Sequence, residues 1–331
     1  FRQPECVIVN EIWWTATARH ADIIFPITTV LERNDLMLTK WEPMATPMHK
    51  AIEPVGESRN DYDVFSGLAQ RLGFFEEFTE GRNEEEWLRH LWDQARQRAG
   101  QANFELPDFD TFWHEGPKEI LKAEDKTVLL EAYRKDPQNN PLATPSGKIE
   151  IFSDVIAGFG YDDCPGHPVW MEPFEWLGGK TVKKFPLHII SNQPSTRLHS
   201  QLDSGSISKG SKIKDREPMT MNPVDAAGRG IKTGDVVRVF NERGSCLAGV
   251  NLSENVMPGV IQLATGAWFD PIVPGQIGAL CKHGNPNVLT MDRGTSSLAQ
   301  GPTAHSTLVQ VEKFNDDIPK VTAHLPPAIS S

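Results

Sequence analysis

The rhythm of apolar and polar positions changes along this chain. At its start, Cys6 to Asn10 (CVIVN) is a short continuous apolar run, the pattern of a buried parallel strand. A polar stretch, TARHAD, separates it from a second apolar run, IIFPITTVLE, interrupted by Pro26. Between Asp61 and Phe75, apolar residues fall at Val64, Phe65, Leu68 and Leu72, which predicts a helix with Asp61 as its cap or first-turn acid. Strand alternating with helix predicts a parallel, doubly wound sheet.

From about residue 83 the rhythm shifts. NEEEWLRHLWDQARQRA reads as an amphipathic helix with acids at its start and arginines toward its end. Prolines and aromatics follow in PDFDTFWHEGP, DPQNNPLATPSGKIEIFS and HPVWMEPFEW, the composition of irregular surfaces clamped between domains. Beyond about Phe185 the pattern turns to strands: FPLHIISN, DVVRVFN, SCLAGVNLS and GVIQLATG. DVVRVFNERGSCLAGV predicts a hairpin turning through Asn241, Glu242, Arg243 and Gly244. NPVDAAGRGIKTGD predicts a short helix stopped at Gly230 and a turn at Gly234 and Asp235, and the whole region predicts a compact barrel.

Composition narrows the chemistry. A chain of 331 residues exceeds one ordinary core. A net charge of −11 argues against duplex nucleic acid as a partner. No apolar run has membrane-spanning length. Cys6, Cys164, Cys246 and Cys281 are dispersed without a CxxC, which argues against a zinc or iron–sulfur site built from these residues. The start, FRQPEC, lacks Met and a signal peptide and enters a strand almost at once, so the chain is expected to be a segment of a longer polypeptide.

Polar segments follow strands at three places. In NEIWWTATARHAD, Asn10 and Glu11 stand at the carboxyl end of the first strand, where open α/β sheets bind ligands. Either could take a ribose or a base edge, and Thr15 and Thr17 could donate to phosphate; the alternative is a surface loop with two buried tryptophans. In SNQPSTRLHSQLD, Gln193, Ser195, Arg197 and His199 place one guanidinium among neutral donors, which suits a phosphate or a delocalised heterocycle. His199 by itself reads equally as a structural histidine. In HGNPNVLTMDRGTSSLAQG, Gly284, Gly294 and Gly301 permit close backbone approach, while Asn285, Asn287, Thr295, Ser296 and Ser297 both donate and accept. The alternative there is a loop that ties strands together. GxGxxG after the first strand, GxxxxGK[ST] and GxSxG are all lacking, so dinucleotide, P-loop and hydrolase-elbow chemistry are poorly supported.

NEIWWTATARHADIIFP with LERND, TPSGKIEIFS, RLHSQ, REPMTMNPVDAAGRGIKTGDVVRVFNERG, and GAWFDP with HGNPNVLTMDRGTSSLAQG occur in this order. Together they resemble the C-terminal part of the dimethyl sulfoxide reductase family of molybdenum enzymes. The likeness is greatest to the branch of biotin sulfoxide, trimethylamine N-oxide and methionine sulfoxide reductases. The resemblance implies an oxidoreductase with molybdenum held by two molybdopterin guanine dinucleotides, reducing an S-oxide or N-oxide. It implies that residues 1–82 complete a Rossmann-like guanosine-binding domain with a parallel sheet. Residues 83–184 would be a connecting region packed between domains, and 185–331 a C-terminal double-psi β-barrel that binds the molybdopterin dinucleotide.

The same resemblance places Asn10, Glu11, Arg33 and Asp61 near the nucleotide, with Asp61 accepting from guanine. It places Asn287, Ala304 and His305 toward a pterin. His305 stands where relatives often carry Gln, Gln193 where some carry His, and Thr265 where some carry Glu. The metal ligand, a serine in this branch, and the catalytic residues are implied to lie upstream, so neither role is assigned here and the chain alone is expected to be inactive. A bacterial periplasmic location, with a cytoplasmic one as the alternative, and a c-type cytochrome as electron donor are further implications. The competing readings are a molybdopterin enzyme of formate or nitrate type and a non-catalytic double-psi barrel used as a binding module.

Overall fold

The structure is a computed structural model; it describes residues 1, 3–39, 42–101, 103–120 and 128–327. The chain divides into two compact units, Phe1–Ala143 and Thr144–Ser331. The boundary falls inside the stretch 83–184 expected as one connecting region, so its helices are shared between the units.

In the first unit, strand β1 (Ile8–Glu11) pairs in parallel with β2 (Ile23–Pro26), Asn10 opposite Phe25 and Glu11 opposite Pro26. These two strands form a sheet by themselves among the described residues. The larger parallel sheet expected from the strand–helix alternation is thus represented by one strand pair. A second sheet is antiparallel, with β4 (Met44–Met48) between β3 (Asp35–Met37) and β5 (Lys118–Glu119). Helix α1 (Asp61–Leu72) is capped by the Asn60 side chain, which accepts from the Tyr62 N–H, and ends at Gly73 in the left-handed region. Asp61 is therefore the first helical residue, the second of the two places expected for it.

After the short α2 (Phe75–Thr79) comes α3 (Glu84–Gln101), opened by a reciprocal cap. The Glu86 N–H reaches Asn83 Oδ1 at 2.9 Å and the Asn83 N–H reaches Glu86 Oε2 at 2.8 Å. Its apolar stripe packs on α4 (Phe109–Glu115). Trp92 and Phe112 stack with ring centroids 3.7 Å apart, and the Trp92 indole N–H donates to the Pro107 carbonyl at 3.0 Å. A single helical turn, α5 (Glu131–Lys135), lies near the end of this unit.

The second unit opens with irregular chain around α6 (Asp154–Gly158). It then closes a barrel from β6 (Leu187–Ile190), β7 (Pro218–Met221), β8 (Val236–Phe240), β9 (Ser245–Leu252), β10 (Val260–Leu263) and β11 (Leu308–Lys313). The order around the barrel is β10-β6-β11-β8-β9-β7, and β10 pairs back to β7. β6 with β10 and β7 with β9 are parallel; the other neighbours are antiparallel.

Period-two alternation drives this closure. Leu187 and Ile189, Met219 and Met221, Val237 and Val239, Ile261 and Leu263, and Val309 and Val311 all point into one core. The hairpin from β8 to β9 turns through residues 241–244 as the sequence indicated. Two short helices decorate the barrel: α7 (Ser206–Ser211) and α8 (Pro223–Ala227), the latter capped by Asn222. Among the described residues, no helix is long and apolar enough to cross a membrane.

Candidate functional site

In the first unit the carboxyl end of β1 meets the start of α1. Asn10 and Asp61 meet: the Asn10 amide donates to Asp61 Oδ1 at 2.8 Å, joining the carboxyl end of β1 to the first turn of α1. Glu11 and Thr15, expected at ribose and phosphate, are half-buried and hydrogen-bonded to each other. Thr15 donates to Glu11 Oε2 at 3.0 Å and accepts from the Ala18 N–H, while Glu11 Oε1 accepts from the Ile12 N–H. A hydroxyl and a carboxylate four residues apart satisfy the tight turn that leaves β1, so local backbone demand consumes them.

A cavity of about 690 Å³ lies beside this end. Its floor is Phe25 and Pro26, the strand partners of Asn10 and Glu11, with Val64 and Leu68 from α1, and Arg59 and Arg71 stand on its walls. A second cavity of about 420 Å³ shares Ser58, Arg59 and Asp63 with the first and includes Arg33. Arg33 pairs with Asp35 at 3.0 Å. The buried hydroxyl of Thr28, on the same wall, has no hydrogen-bond partner among the described residues. Glu32, also lining it, takes the N–H groups of Thr29 and Val55; these bonds hold its carboxyl at about 2, well below the usual carboxylate range. Ser58 and Arg59 were not singled out from the sequence.

In the second unit the segment after β6 separates into an outer and an inner set. Gln193, Ser195 and His199 are exposed. The Gln193 side-chain oxygen accepts from the His199 N–H at 2.9 Å, closing the loop on itself. Arg197 turns inward instead, a correction to its expected place on a ligand face. Its side chain is fully buried and donates to the His199 carbonyl, Ser208 Oγ, Glu217 Oε2 and the Thr265 carbonyl. The negative charge it meets is internal: the buried Glu217 carboxylate, which it shares with Lys212.

That pair belongs to a larger buried network. Lys212 reaches Asp203 at 2.7 Å and Glu217 at 2.5 Å, and the His324 imidazole lies 2.9 Å from Asp203. Asp203 is held far below the usual carboxylate range: burial opposes this, and His324, Lys212 and His283 outweigh it. His283 goes the other way. Burial first, then Lys212, lower its imidazole to about 4, so it is neutral. Asp203, His283 and His324 place possible metal-ligand atoms within 4.8 Å of one another. Lys212 and Arg197 already supply the positive charge at Asp203, which makes this a salt-bridged core in character.

His283 also corrects the reading of the segment it opens. It is buried, with Nδ1 3.0 Å from the Trp268 carbonyl, and Gly284 presses against Glu217, whose Cβ would lie 2.8 Å from a Cβ added there. Asn287, farther on, is exposed. Its N–H is held by Asn285 Oδ1 at 2.8 Å, which leaves the side chain on the surface. Thr295 and Ser296 close a local turn, and Ser297 gives its N–H and hydroxyl to Asp163. Ala304 is half-buried, and its carbonyl accepts from Thr307. His305 is exposed and hydrogen-bonded to His188 of β6, whose imidazole burial lowers. The sequence reading also passed over Asn192: its buried Oδ1 has no partner among the described residues, although the loop around it is rich in donors.

Two family models match the chain. Residues 1–71 match the molybdopterin oxidoreductase model, and residues 187–308 match the molybdopterin dinucleotide binding domain model. The chain is 48% identical over 313 residues to a dimethyl sulfoxide/trimethylamine N-oxide reductase of Cereibacter sphaeroides, covering 94% of the chain and 38% of that relative. It is 46% identical over 333 residues to a trimethylamine-N-oxide reductase of Haemophilus influenzae, covering 99% of the chain and 40% of that relative. The chain belongs to the dimethyl sulfoxide reductase family. It spans about two fifths of the length of these relatives. Acetylene hydratase from Pelobacter acetylenicus shares the fold at a TM-score of 0.65 and 20% identity, over 94% of this chain and 40% of that one. Within this family the matched dinucleotide-binding span contains all of β6 to β10 and both exposed polar loops.

Proposed function

We propose that the chain forms the part of a molybdenum-dependent S-/N-oxide reductase that holds the molybdopterin guanine dinucleotides. The first unit is read as completing a Rossmann-like guanosine-binding domain, and the barrel as the double-psi domain over the pterins. What carries this reading is that the loops of neutral donors and acceptors, 191–203 and 283–305, both lie within the span matching the dinucleotide binding domain. The donor set fits the group. Asn192 Oδ1 is a buried acceptor awaiting a donor, and Thr28 Oγ1 is its counterpart in the first unit. Pterin and guanine edges both carry the N–H groups and oxygens that such atoms match.

When bound, the molybdenum cofactor would supply the oxygen-atom transfer chemistry, and these residues would bind and orient its pterin dinucleotides. Asp61, steadied by Asn10, accepts from the guanine ring N–H and amino groups. Arg33 and Arg59 balance phosphate charge at the cavity they share. Gln193, Ser195, His199, Asn287, Ala304 and His305 offer donors, acceptors or close backbone to the pterins. No residue of this chain is given the metal-ligand or catalytic role.

Trimethylamine N-oxide, biotin sulfoxide and methionine sulfoxide are the proposed substrates, after the N-oxide and S-oxide reductases to which the chain is similar. A c-type cytochrome donor and a periplasmic site of action complete the proposal. The test is denaturation of the full-length enzyme, which should release guanine nucleotide and fluorescent pterin in fixed ratio to molybdenum. Release of neither would leave the barrel as a binding module.

A further inference from the structure

We propose that Arg197 is a positioning residue that holds the pterin-facing edge of the barrel in place without touching the cofactor. The inference rests on the reading of loop 191–203 as a cofactor edge. That loop is sewn to the turn after β10 at both of its ends. Near its start, the Thr265 N–H donates to the Asn192 carbonyl at 2.9 Å. Near its end, Arg197 Nε donates to the His199 carbonyl at 3.1 Å, while Nη2 donates to the Thr265 carbonyl at 2.9 Å. Nη2 also donates to Glu217 Oε2 at 3.0 Å, and the remaining arm, Nη1, donates to Ser208 Oγ at 3.2 Å. One planar fork thus ties two loop carbonyls to a carboxylate in the core, three directions that an ammonium on a flexible stem does not span.

The loop needs this hold. His199 sits in the left-handed region at φ 49°, a strained backbone for a residue with a Cβ. Its carbonyl lies so close to Gly266 that a Cβ there would come within 1.8 Å of the His199 oxygen. The approach is therefore specified from both sides: by the guanidinium that binds the carbonyl, and by the glycine that makes room for it. Between the sewn points stand Gln193 and Ser195, exposed, and the orphaned Asn192 oxygen. The clamp decides where these atoms are held.

The test uses the full-length enzyme and two variants that perturb the clamp from opposite sides. Arg197→Lys keeps the charge that compensates Glu217 and removes the fork; Gly266→Ala pushes the His199 carbonyl away. Readouts are backbone amide exchange in residues 191–203 and 264–268, and pterin retained through gel filtration. Both variants should speed exchange in these two segments by about tenfold or more while β8 and β9 exchange as in the wild type, and both should lower pterin affinity by about tenfold.

Wild-type exchange and retention in Arg197→Lys would overturn the proposal. Pterin loss in Arg197→Lys with exchange unchanged would also overturn it, because the guanidinium would then be a direct contact. If Arg197→Lys loosens the whole barrel, Gly266→Ala decides: local loosening with pterin loss supports the clamp, and wild-type behaviour overturns it. A wild-type enzyme that carries no pterin would sink the proposed function instead, while the exchange comparison would still report on the clamp.

Discussion

The two units solve the problem of strand edges differently. The barrel pairs each of its six strands on both sides, so its backbone groups are spent within the ring and its inward side chains share one core. Among the described residues the parallel pair of the first unit has two strands, extended on the β2 side by the bridge of Ile27 with Arg59. Ile8 is 54% and Ile23 45% exposed, and Trp13 and Trp14 stand out beside them. The barrel supplies an internally closed platform for a cofactor edge. The first unit supplies an open one, whose small core under α3 and α4 lies around Trp92 and Phe112.

The sharpest test of this contrast is Asp203→Asn. Removing the carboxylate that Lys212 and His324 share leaves buried Lys212 and Arg197 with Glu217 as their one remaining acid in this network, and should destabilise the barrel by about 3–5 kcal/mol. Urea unfolding followed by amide exchange should show β6–β11 opening early, with α3 and α4 unaffected. Simultaneous loss of both units would erase the distinction drawn between them.

Asp61→Ala comes next. It removes the acceptor that Asn10 steadies, and should weaken cofactor binding by about 1.5–3 kcal/mol with little change in melting temperature. Guanine nucleotide content after purification measures it, and full occupancy would remove Asp61 from the site.

The third test is pH. The His283 imidazole is lowered from 6.5 to about 4 in the fold, so the unfolded chain binds the extra proton between those values. Its stabilisation is complete above about pH 6.5 and is lost as pH falls toward 4, with a slope of at most about 1.4 kcal/mol per pH unit. Urea midpoints across this window should flatten in His283→Gln for the barrel, while the first unit keeps its own profile. The smallest effect is expected from Asn83→Ala, which breaks the reciprocal cap of α3 and should cost about 1 kcal/mol. Local exchange in α3 should rise while the barrel stays silent; an effect on barrel exchange would show the units to be coupled.

Local signals were legible in the sequence for definite reasons. Alternation marked β6, β8, β9 and β10, and helical spacing marked α1 and α3, because each pattern fits within one element. The β8–β9 hairpin was readable for the same reason: its partners are adjacent in the chain. β7 and β11 were passed over. PMTM and LVQVEK are short runs whose strand character comes from partners far away: β7 lies between β9 and β10, and β11 between β6 and β8. The candidate site divides the same way. Asn10 could be placed at the carboxyl end of β1 by position, since strand ends are sequence features; Asp61 was legible from the residues only as a cap or first-turn acid, and its place beside Asn10 came from the family likeness.

The sequence by itself determined the period of each segment, the caps of its helices, the supply of neutral donors in two loops, and the family likeness. Only the tertiary structure decided which polar groups face inward. Arg197, His199 and Gln193 are near neighbours in one polar segment, yet Arg197 is buried and the other two are exposed. Its direction is set by partners outside its own loop, Glu217 and Thr265, because a buried guanidinium requires a carboxylate and acceptors within hydrogen-bond reach. His283 likewise reads as the head of a ligand ribbon until the fold surrounds it with Trp268, Asp203 and Lys212; burial then makes neutrality its stable state.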